Sequence, residues 1–365
     1  MKKMKKIKLF DPSIGKEEEI VIRKTLYSKF WASGAGTGNV AKFEQNFNKF
    51  ISSRYCVALN SGTAALHLAL SLFDVKNKEV LLPSLSFVST AHAVLYNGGI
   101  PKFVDVDPNT MCMDHNLIEE KITKKTKLIL PVHFGGMPCN LDKLTSLCKK
   151  YHLSLVEDAA HAVGSTFGNK KIGSHGDAVC FSFHPVKNLS MPTGGAITLN
   201  LKNVNESAMK LKSRRWCGIT NRSGPNYDVD ELGWNFYMNE FSASIGLVQL
   251  AKLNRLNKRR QQIAKIYSKE LKVENKMPFS TNCSYHIYWI LVENREKFMK
   301  DMQDFGIETG IHYKPITQMS LYKQNVKLPN TDKSGKMIVS LPIHTNLSDD
   351  DIAKIIDSVH KFNKN

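Results

Sequence analysis

The sequence predicts an α/β protein, with a large domain built on a mostly parallel, mixed sheet flanked by helices and a smaller C-terminal α+β domain. Three observations predict it. Apolar strand-like runs alternate with helix-like stretches through the first two-thirds of the chain. One long amphipathic stretch then breaks the alternation, and beyond it strand and helix signals resume over a shorter segment. The length, 365 residues, is more than one core usually organises, so two domains are expected, residues 1–249 and 250–365.

The strand-like runs come in order. Tyr55-Cys-Val-Ala-Leu59 is followed, after Asn60-Ser61-Gly62, by the helical Thr63-Ala-Ala-Leu-His-Leu-Ala-Leu-Ser-Leu72. Glu79-Val-Leu-Leu82 ends at Pro83, and Pro101-Lys-Phe-Val-Asp105 and Leu128-Ile-Leu-Pro-Val132 come next. Leu153-Ser-Leu-Val-Glu157, Ala178-Val-Cys-Phe-Ser182 and Ala196-Ile-Thr-Leu199 complete the set. From Phe241 to about Leu271, Phe241, Ile245, Val248, Leu256, Ile263 and Tyr267 fall on one stripe of a long helix. Tyr285-His-Ile-Tyr-Trp-Ile-Leu-Val292 is a further strand, and a helix from Glu296 to Phe305 is closed by Gly306.

Composition narrows the function classes. Hydrophobic residues at 42% and charged residues at 23% fit an ordinary globular chain and exclude a disordered one. No run approaches the roughly 18 consecutive apolar residues of a membrane span. The basic start, Met1 to Lys8, has no apolar stretch behind it, because Asp11, Gly15 and Lys16-Glu17-Glu18-Glu19 intervene. A cytoplasmic protein without a membrane partner is expected. The seven cysteines are scattered and form no Cys-x-x-Cys pair, so neither zinc nor a redox motif is signalled. The net charge of +18 raises the question of a nucleic-acid partner. The lysines are spread along the whole chain, however, and no basic helix carries interleaved aromatics. A lysine-rich surface that attracts a diphosphate substrate is the preferred reading, with no nucleic acid bound.

Four segments that carry chemistry fall just past strand ends, where open α/β sheets hold their ligands. The turn Asn60-Ser61-Gly62-Thr63 opens a helix, and unpaired N–H groups there can cradle a phosphate or can simply close a turn. Asp158, in Glu157-Asp-Ala-Ala-His161, must be paired at the tip of a buried strand. It can cap a helix, hold a metal or hold the protonated nitrogen of a cofactor ring. A metal is disfavoured because no cluster of further carboxylates or histidines completes a ligand set. Lys187, in Ser182-Phe-His-Pro-Val-Lys-Asn188, is either a loop lysine or an amine whose pKa burial lowers for Schiff-base chemistry. Phe87, in Pro83-Ser-Leu-Ser-Phe87, is either core or a ring that stacks on a ligand. Taken together, a phosphate cradle, an acid, a reactive lysine and an aromatic ring are the parts of a pyridoxal-phosphate site. Gly34-Ala-Gly-Thr-Gly38 imitates a dinucleotide fingerprint, but its last glycine comes one residue early and no strand precedes it. It is expected to be a flexible loop at the substrate entrance.

The order and wording of these segments resemble the sugar-nucleotide aminotransferases of the DegT/StrS group, along nearly the whole chain. The resemblance rests on Trp31-Ala-Ser-Gly34 with Phe43-Glu44, Asn60-Ser-Gly-Thr-Ala-Ala-Leu66, Pro83-Ser-Leu-Ser-Phe-Val88 and Phe103-Val-Asp-Val-Asp107. It continues through Glu157-Asp-Ala-Ala-His-Ala162, Ser182-Phe-His-Pro-Val-Lys-Asn188 and Gly194-Gly-Ala196. Leu232-Gly-Trp-Asn235, Gly246-Leu-Val-Gln-Leu250, Gly310-Ile-His-Tyr313 and Leu341-Pro342 complete it.

The resemblance implies a type I aminotransferase fold with pyridoxal 5'-phosphate as cofactor and its pyridoxamine form as intermediate. It implies that Lys187 carries the cofactor and moves the proton, that Asp158 pairs with the ring nitrogen, and that His161 sits beside the ring oxygen. Ser61, Gly62, Thr63 and Ser182 would hold the phosphate, and Phe87 would stack on the ring. Asn235 would reach the phosphate of a neighbouring subunit, so a homodimer with shared active sites is implied, and His312 and Tyr313 would face the substrate. Relatives that dehydrate their sugar carry His where this chain has Lys187, which favours amino transfer from L-glutamate to a nucleotide-linked, 4-keto-6-deoxy sugar in surface-glycan biosynthesis. The competing readings are the same fold with another reaction (sugar dehydration or amination of a keto-cyclitol) and a non-catalytic regulator or nucleic-acid binder. Two departures bear on the substrate. Asn235-Phe-Tyr-Met238 stands where the family often has Asn-x-Arg-Met, and Pro192-Thr-Gly-Gly195 stands where it often has Gly-Glu-Gly-Gly.

Overall fold

A computed structural model describes residues 6–362; most of the basic start, residues 1–5, lies outside it. Two helices, α1 (Lys16–Ser28) and α2 (Gly38–Ile51), precede the first strand, β1 (Tyr55–Leu59), whose last four residues are buried. The chain then alternates through α3 (Gly62–Leu70), β2 (Glu79–Pro83), α4 (Ser89–Tyr96), β3 (Ile100–Val104), β4 (Thr126–Ile129), α5 (Leu141–Tyr151) and β5 (Ser154–Asp158). A small hairpin, β6 (Thr166–Phe167) and β7 (Lys170–Lys171), leads to β8 (Ala178–Ser182) and β9 (Gly195–Leu199). Local capping sets several helix starts. The Ser61 hydroxyl accepts from the Ala64 N–H at 3.1 Å to begin α3, and Asn140 does the same for Lys143 in α5.

Seven strands form one sheet in the order β1-β9-β8-β5-β4-β2-β3. Every pairing is parallel except the two made by β9, so the sheet is mixed with six strands in one direction. In register, Leu59 of β1 and Ser182 of β8 both face Gly195, the first residue of β9. One edge of the sheet therefore gathers the carboxyl ends of β1, β5 and β8.

After α6 (Val204–Arg214) an exposed hairpin, β10 (Ile219–Ser223) and β11 (Asn226–Val229), leads to the 31-residue α7 (Glu240–Glu270). Asn239 caps α7 through the Ser242 N–H at 2.8 Å. The domain boundary expected at 249/250 falls inside α7, which runs unbroken across it. Beyond α7, β12 (Tyr288–Leu291) pairs antiparallel with a later strand, with α8 (Arg295–Asp304) and α9 (Pro329–Met337) between them. That partner, β13 (Ile338–Leu341), is followed by α10 (Asp349–Phe362), which begins with a reciprocal box between Ser348 and Asp351. One apolar core runs from Phe43 and Phe47 of α2 through Tyr267 of α7 to Val359 of α10.

Two expected strands are shorter than read. β4 stops at Ile129 because Pro131 has no N–H for the ladder, although Val132 still bridges Asp158. β12 starts at Tyr288 rather than Tyr285, because Tyr285 has a φ of 49° and the His286 N–H turns away to the Gly135 carbonyl at 2.9 Å. The glycine-rich segment is also not as expected. A β-carbon on Gly36, whose φ is +68°, would sit 1.9 Å from Nη2 of Arg215. One on Gly34 would sit 2.2 Å from the Trp216 ring, and no residue of the segment lines the cavity described below. It is a cover over Arg215, not an entrance loop.

Candidate active site

At the carboxyl edge of the sheet lies a cavity of about 440 Å³. Ser61, Gly62, Thr63, Phe87, Asp158, His161, Ser182, Lys187, His312 and Tyr313 all line it. Asn235 does not. It is exposed on its own chain, its carbonyl accepting from the Asn60 amide at 3.3 Å. Thr193, within one of the two departures noted above, also lines the cavity.

The floor is built from strand ends. The N-terminus of α3 opens onto Ser182, and a β-carbon on Gly62 would lie 2.7 Å from that of Ser182. The space between the α3 N–H groups and β8 exists because residue 62 has no side chain. Asp158 ends β5 and is 4% exposed. Its Oδ2 accepts from the Thr90 hydroxyl at 2.8 Å and its Oδ1 from the Ala160 N–H at 3.1 Å. Burial raises its pKa, with Thr90, Ala160, Lys187 and His133 pulling the other way. Behind it, His133 Nδ1 accepts the Cys139 N–H at 3.1 Å, so Nε2 carries the proton and donates to Glu157 at 2.7 Å. The His133 N–H in turn donates to the Asp158 carbonyl at 3.1 Å. The tip of β5 is thereby fixed from two sides.

Lys187 follows β8 in a turn held by its own N–H on the His184 carbonyl, 2.8 Å, and by the Ser190 hydroxyl on the Lys187 carbonyl, 2.7 Å. The neighbouring Asn188 is buried and donates to Asn257 of α7 and to the Ser284 carbonyl. The lysine side chain keeps some surface in the cavity, but burial of its amine lowers the pKa to about 8, against the pull of Asp158. Such an amine is partly neutral near pH 7 and can act as a nucleophile or base.

The remaining wall is aromatic. His161 Nδ1 accepts the Gly135 N–H at 3.3 Å, leaving an Nε2–H to donate to the Tyr313 hydroxyl at 3.0 Å. The two rings stack at 5.9 Å. Burial drives the His161 pKa well below the usual histidine range. His312 bonds Ser340 at 2.9 Å, and burial lowers its pKa to about 4. Phe87 is 54% exposed and presents its ring to the cavity.

Two contributors escaped the sequence reading. His286 lies 3.2 Å from the Lys187 amine, and Thr90 holds Asp158. His286 reads as one polar residue in an otherwise apolar strand, and that interruption was its only local signal. Thr90 had none.

The donor set fits pyridoxal phosphate. A cleared helix N-terminus suits a dianionic phosphate, an exposed ring suits a flat heterocycle, and a buried acid with no ion-pair partner among the described residues suits a protonated ring nitrogen. Among the described residues no cluster of His, Cys, Asp or Glu could hold a metal ion.

The family model described as DegT/DnrJ/EryC1/StrS aminotransferase matches residues 12–360. The spore coat polysaccharide biosynthesis protein SpsC of Bacillus subtilis is 32% identical over 97% of this chain and 96% of its own. PseC of Helicobacter pylori, an aminotransferase involved in the biosynthesis of pseudoaminic acid, superposes with a TM-score of 0.91 at 29% identity, covering 98% of this chain and 99% of its own. The sugar aminotransferase Spr1654 of Streptococcus pneumoniae, solved in PLP and PMP forms, matches at 27% identity. Its PLP form has a TM-score of 0.92 and covers 99% of both chains.

Proposed function

The chain belongs to the DegT/DnrJ/EryC1/StrS aminotransferase family, and on that premise we propose that it moves an amino group from L-glutamate to a keto group of a nucleotide-linked, 4-keto-6-deoxy sugar. It is a pyridoxal-phosphate-dependent enzyme of sugar biosynthesis. What carries the amino-transfer reading is the convergence of Lys187, Asp158, the Gly62 turn and Phe87 on one cavity.

When bound, the cofactor supplies an electron sink for the carbon that exchanges its amine. The protein's own groups do the rest. Lys187 Nζ, neutral in part at pH 7, is placed to take and return the proton at the reacting carbon. Asp158 holds the proton of the ring nitrogen, and Thr90 and the Ala160 N–H fix the direction of its carboxylate. Ser61, Gly62, Thr63 and Ser182 bind the phosphate at the start of α3. Phe87 covers one face and limits water. His161, kept uncharged, orients Tyr313 through its Nε2–H, and His312 beside them faces the sugar. Thr193 borders the substrate side, where the chain departs from its family's wording.

The proposal extends to assembly and place. Asn235 is exposed and outside its own cavity, so we assign it to the site of a second copy in a homodimer. The exposed Tyr27, Trp31 and Leu232 are in keeping with a covered face. The segments 1–249 and 250–365 act as cofactor-binding and smaller domains around the hinge-free α7. The setting is cytoplasmic, where nucleotide sugars and glutamate meet. The product serves surface glycans, in line with the spore coat polysaccharide role named for SpsC.

The test is an absorption spectrum of the reconstituted enzyme before and after L-glutamate, with Lys187→Ala alongside. The wild-type band is expected to convert to the amine form with glutamate, and the lysine-linked band to be missing in the variant. A band that ignores glutamate would sink the donor assignment. Keto sugars are then screened by product mass, with parallel double-reciprocal plots expected for a ping-pong enzyme.

A further inference from the structure

Among the described residues His286 is the side chain in hydrogen-bond contact with the Lys187 amine, with Nε2 and Nζ 3.2 Å apart. The two residues are 99 positions apart, and His286 arrives from the turn before β12. That turn is made for it. Tyr285 takes a positive φ of 49°, and the His286 N–H is anchored on the Gly135 carbonyl at 2.9 Å. The ring is 1% exposed and fixed between Phe10, stacked at 5.5 Å, and His161 at 4.5 Å. Its other nitrogen, Nδ1, is buried and has no hydrogen-bond partner among the described residues.

That orphan nitrogen decides the tautomer. With the proton on Nδ1, a buried N–H would be left without an acceptor. With the proton on Nε2, the orphan is only a lone pair, and the N–H points at the lysine. Buried unpaired donors are the rarer and costlier case. An Nε2–H can bond Lys187 only when the amine is neutral and offers its lone pair.

We propose that His286 is a positioning residue for Lys187, donating its Nε2–H to the neutral amine and holding it ready whenever it is not bonded to the cofactor. No proton leaves the pair; the hydrogen stays on Nε2. The other groups that face the amine are Asp158 at the end of β5, His161 in the turn after it, His184 in the turn after β8, and His312 and Tyr313 on the segment after α8. His286 itself also faces Arg260 of α7, and burial keeps the imidazole uncharged. Only Asp158 favours the charged lysine, so the histidine opposes it.

This rests on the reading of Lys187 as the cofactor-bearing lysine. The experiment follows the acylation of Lys187 by acetic anhydride against pH in the cofactor-free protein, read by peptide mass spectrometry. The wild-type midpoint is expected near pH 8. His286→Phe keeps the stacked ring and removes the donor, so the midpoint should rise. Roughly three- to tenfold fewer amines should react at pH 7, the size of one neutral hydrogen bond. His286→Gln restores an N–H donor and should return the midpoint toward wild type. An unchanged or lowered midpoint in His286→Phe would overturn the proposal. Should that variant not fold, the 15N spectrum of wild-type histidines decides, assigned by the resonance lost in His286→Gln. A ring protonated on Nε2 supports the proposal, and one protonated on Nδ1 overturns it. Borohydride reduction of the reconstituted wild type, followed by peptide mapping, tests the premise separately. Cofactor mass on another lysine removes the premise and the proposal with it. Cofactor on Lys187 with unaltered titration in His286→Phe sinks the positioning role alone.

Discussion

Arg215 and Lys187 are both cations withdrawn from water, and the protein treats them in opposite ways. Arg215 is fully buried and almost fully paired. Its Nη1 donates to Glu44 at 2.5 Å and to the Ala58 carbonyl at 2.9 Å, and its Nη2 donates to the Ala35 carbonyl at 3.2 Å. The glycine segment closes over it, and Glu240 caps α2 next door through the Asn39 N–H. The Lys187 amine has one short polar contact, a neutral imidazole, and among the described residues no carboxylate within ion-pair distance. A charge with its partners in place is structural and inert. A charge left short of partners holds its proton less tightly, and its reactivity is stored as lost stability.

The largest effect should come from Lys187→Met, which abolishes amino transfer while raising the melting temperature of the cofactor-free protein. The sign follows from a folded pKa of about 8, set below the 10.5 of a lysine in water. Below pH 8 the unfolded chain holds the charge more comfortably, so wild type is at its greatest disadvantage there. The gap between variant and wild type should close as pH rises from 8 to 10.5. A variant less stable than wild type at pH 7 would break the comparison.

Arg215→Met should do the reverse, destabilising by about 3–5 kcal/mol in denaturant unfolding, because Glu44 stays buried without its cation. Adding Glu44→Gln should recover part of the loss. A single variant as stable as wild type would mean that the pair is not what holds this region.

Gly62→Ala sharpens the other end of the site. Its β-carbon would press on Ser182, an overpacking cost of about 1–3 kcal/mol. Cofactor retention in equilibrium dialysis should weaken as well. Undiminished retention would remove the phosphate cradle from α3.

The smallest effect concerns the histidine wall. His161, His286 and His312 have pKa values depressed by burial, the last to about 4. Their contribution to stability is complete above the ordinary histidine pKa and is lost as pH falls through it toward the folded values. Melting temperatures of the cofactor-free protein should therefore drop between pH 7 and 4.5, and His312→Gln should flatten that slope. An equal slope in the variant would exclude His312 from it.

The two sides of the cavity were not equally legible. Ser61 to Thr63, Asp158, Ser182 and Lys187 each sit in a local strand-to-turn context, where a few neighbouring residues fix the backbone and the open end of the strand fixes the direction. Their order along the chain and their resemblance to a family were therefore visible without coordinates. His286 read as a strand residue because apolar neighbours hide the turn at Tyr285 that points it inward. Gly34 to Gly38 read as a mobile entrance because its packing partners, Arg215 and Trp216, come from about 180 residues downstream.

What the sequence by itself determined was the alternation of strands and helices, the carboxyl ends of β1 and β8 and the chemical types gathered there, all set by short-range periodicity and turn chemistry. What only the tertiary structure decided was which distant side chains complete the cavity and which cation is paired. It also decided that β9 runs against its neighbours, so that Gly195 lies between β1 and β8. Those choices depend on contacts between segments far apart in the chain, and such contacts leave no periodic trace in the residues that make them.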